Sequence, residues 1–206
     1  MKFVHIADTH FDMPFVQLKG KKSLIKKKQI EQRFAFSKVI DYIKENKIEL
    51  LFFAGDLFEQ KSVEEDTIHF LISSFKEIPN TKIYITPGNH DPLIKSSPYN
   101  TYDWPDNVFI FSNEVGEYEY RNVRIYGLGF TDYEMVSDEV KNIKVDENKI
   151  NILITHATLN GNSKKYHDIK EADLNKFDYV ALGHIHMPKV DESRIIYPGS
   201  LTSRRI

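Results

Sequence analysis

Five apolar stretches in this chain each run into a residue type that binds metal. Residues 3–7 lead to Asp8, residues 50–54 to Gly55-Asp56, and residues 83–86 to Pro87-Gly88-Asn89. Residues 152–155 lead to His156, and residues 179–182 to Gly183-His184. Short apolar runs bounded by turn residues read as buried strands. In layered α/β folds, ligands gather beyond the carboxyl ends of the strands. The fold must therefore bring these strand ends to one place.

Each piece has an ordinary reading when taken alone. Asp8-Thr9-His10 alone reads as structural or solvated. Gly55-Asp56 suits a turn, and so do Gly88 and Asn89. His184 and His186 lie on one face if Gly183-His184-Ile185-His186 continues a strand, because alternate residues point the same way. The repeated placement at strand ends gives the pieces a joint meaning. Carboxylate, imidazole and amide side chains in this order suit two transition-metal ions, and a two-metal site implies hydrolysis, above all of phosphate esters.

The rest of the chain fits that frame. Helices are expected at residues 23–45, with room for an interruption, and at 62–76. Ser62 would be the N-cap of the second helix, and Glu65 would complete a capping box. Residues 92–106 read as a loop. Strands follow at 108–111, 117–120 and 123–128, then a short helix at 133–141, then strands at 150–155, 179–182 and 194–197. The first half alternates strand and helix and the second half is mostly strand. The expected architecture is α/β, a two-sheet β-sandwich flanked by helices. With 206 residues, 41% hydrophobic and 28% charged, residues 1–206 are read as one catalytic domain.

The net charge of −2 provides no global field toward nucleic acid, so DNA binding would need a local patch. The absence of cysteine excludes disulfides, thiolate ligands and a cysteine nucleophile. The N-terminus reads as a strand, not a signal peptide, and no run is long enough to span a bilayer. The cytoplasm is the expected compartment, with no membrane partner.

Asp8-x-His10, Gly55-Asp56, Gly88-Asn89-His90-Asp91, His156 and Gly183-His184-x-His186 together resemble the calcineurin-like metallophosphoesterases over nearly the whole chain. A finer resemblance, to the Mre11/SbcD DNA-repair nucleases, rests on residues 5–10, 55–58, 125–128, 181–186 and 197–200. Gly88 to Pro92 and Trp104 to Val108 look most like YhaO-type bacterial relatives. The resemblance implies a two-sheet sandwich and two divalent metals, manganese first, with iron or zinc as fits to the same donors. One ion would take Asp8, His10 and His186, and the other Asn89, His156 and His184. Asp56 would bridge them. A water shared by the metals would become the nucleophile. His90 would face the phosphate as general acid or charge stabiliser, and Asp91 would either orient His90 or close the turn.

The resemblance also implies DNA as a partner, a homodimer, and a Rad50/SbcC-type ATPase in a longer form. The basic run Lys19, Lys21, Lys22 and Lys26–Lys28 would hold a phosphate backbone or form a solvated helix face. Tyr99, Tyr102 and Trp104 would stack on bases or pack their loop. His5 and His69 are expected to be structural and His167 solvated. Arg204 and Arg205 lie near the end of the sequence. Two features depart from the nuclease pattern. Many relatives carry a second histidine three residues after the bridging aspartate, where this chain has Glu59. The sequence also stops just after Tyr197-Pro198-Gly199-Ser200, short of the family's capping and ATPase-binding segments. The expected activity is that of a manganese-dependent DNA nuclease core. The alternatives are a compact phosphodiesterase for small substrates such as cyclic nucleotides, and a non-catalytic scaffold.

Overall fold

The strand β2 (Leu50–Ala54) is buried at every residue, because both of its faces are covered. Leu51 and Phe53 pack into a core beneath two helices, while Leu50, Phe52 and Ala54 pack into a second core between two sheets. That alternation is the period-2 signature of a strand in the middle layer of a sandwich. The structure, a computed structural model, describes residues 1–15, 20–190 and 194–202.

The first sheet has the order β1-β2-β3-β4, formed by Phe3–Ile6, Leu50–Ala54, Lys82–Thr86 and Val108–Ile110, all parallel. The second has the order β11-β10-β7-β6-β5. Here β5 (Gly116–Tyr120) runs antiparallel to β6 (Val123–Leu128), and β7 (Ile150–His156), β10 (Tyr179–Gly183) and β11 (Ile195–Ile196) are parallel to β6. Ile125, Ile152, Ile154 and Ala181 supply the second sheet's side of the central core.

Helix α1 (Lys22–Glu45) is continuous, burying Gln32, Phe36, Ile40 and Ile43 at helical spacing. Helix α2 (Glu65–Lys76) starts later than the sequence suggested, and the expected capping box does not form. The Ser62 hydroxyl donates to the Asp12 carbonyl, and the Asp12 carboxylate accepts from the Glu64 N–H. A side chain from the first motif loop thus caps α2 from a distance. The helix expected at 133–141 reduces to a 3₁₀ turn at Glu139–Asn142. There Asp132 and Ser137 side chains accept from the backbone of Tyr133 and Glu139, in the local bonding that competes with helix. The loop at 92–106 contains a single turn of helix, α3 (Pro98–Thr101), capped by Ser97. The short pair β8 (Thr158–Leu159) and β9 (Asp168–Ile169) is too brief to leave a periodic signal. Among the described residues, no helix is long and apolar enough to cross a membrane.

The sheets approach closely at the carboxyl ends of β2 and β10. A Cβ on Gly183 would lie 1.7 Å from the Ala54 carbonyl oxygen, so only glycine permits this approach. It brings the residues following both strands to one edge of the sandwich.

His167 corrects the sequence expectation. It is fully buried, with its ring 4.4 Å from that of Phe130. Burial holds its pKa down to about 4. The native state therefore favours neutral His167, and the associated stability is complete above the unfolded value near 6.5. It is lost as pH falls from there toward 4. In urea titrations at pH 7 and pH 4, wild type should lose about 3 kcal/mol more than His167→Phe between the two pH values. Equal losses would show that His167 titrates as if exposed.

Candidate metal centre

Four of the candidate ligand residues sit in left-handed backbone conformations: Asp8 (φ 53°), His10 (47°), Asp56 (56°) and His184 (89°). Such conformations are unfavourable for side-chain-bearing residues and persist where the surroundings fix them. The loop after β1 and the loop after β2 are zipped together. Asp8 N donates to Gly55 O (3.0 Å), His10 N to Asp56 O (2.9 Å), Phe11 N to Leu57 O (3.0 Å) and Glu59 N to Phe11 O (2.9 Å). Gln32, buried on α1, donates to the carbonyls of both Thr9 and His10. The Asp8 carboxylate accepts from the His184 N–H at 3.1 Å, which ties the first motif to the last.

The side chains fall into two groups around Asp56. In the first, His10 Nε2 lies 3.2 Å from His186 Nε2, and His186 Nε2 lies 3.5 Å from Asp8 Oδ1. One ligand atom from each of Asp8, His10, Asp56 and His186 lies within 4.8 Å of all the others. In the second, Asn89 Oδ1 is 3.2 Å from both His156 Nε2 and His184 Nδ1, which are 3.3 Å apart. Asp56 Oδ2 stands between the groups, 3.4 Å from His10 Nε2 and 3.2 Å from His156 Nε2.

These spacings match the edges of a coordination shell. Two atoms each about 2.1 Å from one ion stand about 3.0 Å apart at a right angle and about 3.4 Å at the tetrahedral angle. Ring orientation agrees. His156 Nδ1 donates to the Ala54 carbonyl at 2.9 Å, which turns Nε2 inward. Burial disfavours a charged His156, but the Asp56 carboxylate outweighs it and lifts the pKa to about 9. Burial likewise opposes charge on Asp56, yet His156 and His10 hold its carboxyl well below the usual range. Burial and the neighbouring His156 lower His184 to about 4. Asp56 thus favours a positive charge on the buried His156, and the donor chemistry of the set fits a cation there.

Of the two roles expected for Asp91, the structure shows the closing of the turn and not the orienting of His90. Its fully buried carboxylate accepts from the backbone N–H of Asp56 (3.0 Å), Leu57 (2.7 Å) and Gly88 (2.6 Å), and from the Tyr99 hydroxyl (2.7 Å). It closes the turn and joins two motif loops. Burial, and then the charge of Asp56, push Asp91 up to about 6. The carboxylate beside His90 is Glu59. It accepts from His90 Nδ1 through one oxygen and from His10 Nδ1 through the other, each at 2.8 Å. In the sequence Glu59 marked only the place of a missing histidine, and Gln32 was a polar residue in an apolar helix stripe. Neither carries a motif.

His90 is 40% exposed, at the edge of a cleft of about 200 Å³ lined by Glu59, Lys61, Asn89, Tyr133 and Tyr166. Tyr99 and Trp104 do not serve as stacking platforms. Tyr99 packs on Phe58, and Trp104 on Phe75, with its indole N–H donating to the Pro98 carbonyl. Tyr102 packs beside His69 of α2. Lys21, Lys22, Lys26 and Lys27 are exposed at the start of α1, while Lys19, Arg204 and Arg205 lie outside the described residues. His5 donates to or accepts from the Tyr179 hydroxyl (3.1 Å) across the two sheets.

A sequence model of the calcineurin-like phosphoesterases matches residues 1–188. The chain belongs to that family, whose members are metal-dependent phosphoester hydrolases, and its two-sheet architecture is the family's fold. It is 29% identical over its whole length to an uncharacterized metallophosphoesterase of Bacillus subtilis, YhaO, covering 54% of that protein. It is 27% identical, over 97% of its length, to the DNA double-strand break repair protein Mre11 of Methanocaldococcus jannaschii, covering 56% of it. The chain thus spans about half the length of these relatives.

Removing the Tyr99 hydroxyl leaves Asp91 one donor short in a buried site. Tyr99→Phe should lower unfolding free energy by about 1.5–3 kcal/mol in a denaturant titration, the range for a hydrogen bond to a charged group. A change under about 0.5 kcal/mol would show that this bond contributes little to holding the turn.

Proposed function

We propose that this chain is a two-metal phosphodiesterase acting on DNA. The observation that carries the reading is Asp56 Oδ2, within 3.4 Å of one donor group and 3.2 Å of the other. Asp8, His10 and His186 would hold one ion, Asn89, His156 and His184 the second, with Asp56 shared. Imidazole with carboxylate and amide oxygen suits manganese, iron or zinc, and manganese is preferred on family resemblance. When bound, such ions supply an activated water and neutralise charge on the phosphoryl oxygens.

The chain's own side chains set the rest. His156 is fixed by the buried bond from its Nδ1 to the Ala54 carbonyl, so its Nε2 needs no rearrangement to act as a donor. His90 stands at the cleft edge, outside the two groups around Asp56, and would give a proton to the leaving oxygen or stabilise its charge. Lys61 lines the same cleft and adds a positive charge where a phosphate would enter. DNA as substrate is supported by similarity to the archaeal Mre11. An ATPase partner and a second copy of the chain are further proposals on the same ground. The cleft's small volume favours a second reading, a phosphodiesterase for small diesters.

The test is incubation with end-labelled linear DNA, with manganese and then with EDTA. Manganese-dependent cleavage is expected, and it should be lost in both Asp56→Asn and His90→Ala. Metal content by mass spectrometry should fall in Asp56→Asn and stay near wild type in His90→Ala. Cleavage of small diesters but not DNA would select the second reading. Loss of metal in His90→Ala would contradict the role given to that residue.

A further inference from the structure

Eight non-glycine residues among those described have positive φ. Four belong to the metal centre, and Asp12 and Asn160 are of types that tolerate the left-handed region. The other two are long cations, Lys47 (φ 51°) and Arg121 (54°), and both line one cleft of about 550 Å³. Lys47 occupies the position after the C-cap of α1 that glycine usually fills. Its N–H donates to the Lys44 carbonyl, and the Ile48 N–H reaches back to the Ile43 carbonyl at 3.0 Å. Arg121 is the first residue of the two-residue turn between β5 and β6, where left-handed backbone again favours glycine or asparagine. Backbone preference disfavours a long cation at both places, and what the two share is the cleft.

The cleft lies at the opposite edge of the sandwich from the metal centre. Glu49, Thr81 and Arg121 in its lining come at the amino ends of β2, β3 and β6, whereas the metal-type residues follow the strands. Along β2 its five residues separate the two places, roughly 17 Å of strand. Ile43, Ile48 and Ile78 are buried and give the cleft an apolar lining, joined by Pro79. Cations stand around it. Lys44 pairs with Glu77 at 2.8 Å. Arg121 pairs with Glu49 through one nitrogen, which leaves most of its donors open. Glu49 also accepts from the Tyr120 hydroxyl (3.0 Å) and the Lys2 N–H (3.3 Å). Both carboxylates of the lining are thus engaged, and Lys47 has no ion pair among the described residues. The volume is that of a small-molecule site, and a guanidinium and an ammonium beside apolar walls suit a phosphate carried on a small organic body. We propose that this cleft binds a phosphomonoester of the nucleoside monophosphate class, with the phosphate at Lys47 and Arg121 and the base against Ile43, Ile48 and Ile78. Such a molecule is what an exonuclease releases, so the choice of ligand rests on the function proposed above. The cleft and its cations do not.

The test is a titration of the ¹⁵N-labelled full chain, in EDTA, with deoxyadenosine monophosphate, inorganic phosphate and deoxyadenosine. The nucleotide should give saturable shifts in the backbone amides of Lys47, Thr81 and Arg121. It should bind about tenfold tighter than phosphate or nucleoside alone. Lys47→Gly separates a ligand role from a structural one. Glycine relieves the left-handed strain, so without ligand this variant should melt about 2 °C higher, yet bind the nucleotide about tenfold more weakly. Lys47→Asn, also at ease in this conformation, should show the same loss of binding and serves if the glycine variant does not fold. Unchanged affinity in these variants would show that Lys47 meets no ligand and overturn the proposal. So would shifts confined to Asn89, His156 and His184, or no saturation by about 1 mM nucleotide. Inorganic phosphate binding as tightly as the nucleotide would refute the ligand class. None of these measurements needs turnover. Wild type that leaves DNA and small diesters uncut would sink the phosphodiesterase reading, while the titration still decides whether the cleft takes the nucleotide.

Discussion

The loops after β2 and β3 are locked because the aspartate of each accepts a backbone N–H from the other loop. Asp91 takes the Asp56 N–H into its buried carboxylate, and Asp56 takes the His90 N–H into its own at 2.9 Å. Gly88 makes this possible, since a Cβ there would stand 2.3 Å from Asp56 Oδ1. The rest of the centre hangs on this lock. It aims Asp56 Oδ2 between the two donor groups and places Asn89 beside His156. It brings two carboxylates close together, and four donors around Asp91 make that arrangement tolerable.

A second constraint is the seam between the sheets. Gly183 against Ala54, and His156 Nδ1 on the Ala54 carbonyl, bring the ends of β2, β7 and β10 together. Residues from both sheets then share one donor set. The left-handed conformations of Asp8, His10, Asp56 and His184 are held by the zipped loops and by bonds such as Asp8 to the His184 N–H. Strain of this kind at a site is ordinary when the scaffold overdetermines it.

Much of this was legible in the sequence. Apolar runs ended by Gly-Asp, Gly-Asn-His-Asp and Gly-His-x-His mark where strands stop and which side chains gather, because both strand burial and turn chemistry are local signals. The parts that were not legible depend on distant contacts. Asp91 lies next to His90 in sequence, yet its partners are the backbone of Asp56 and Leu57 and the hydroxyl of Tyr99. Glu59 and Gln32 have no motif and acquire meaning only from the loops they touch. Asp12 caps α2 across a long sequence gap, which no local capping pattern can show. His167 sits in a polar stretch, but its ring turns inward onto Phe130.

The central claim is that one carboxylate is shared by two ions. The most direct test is electron paramagnetic resonance of the chain loaded with two equivalents of manganese. Ions bridged by Asp56 at about 3.5–4 Å should give an exchange-coupled spectrum. Wild type showing only the six-line signal of isolated ions, at full loading, would contradict the shared site.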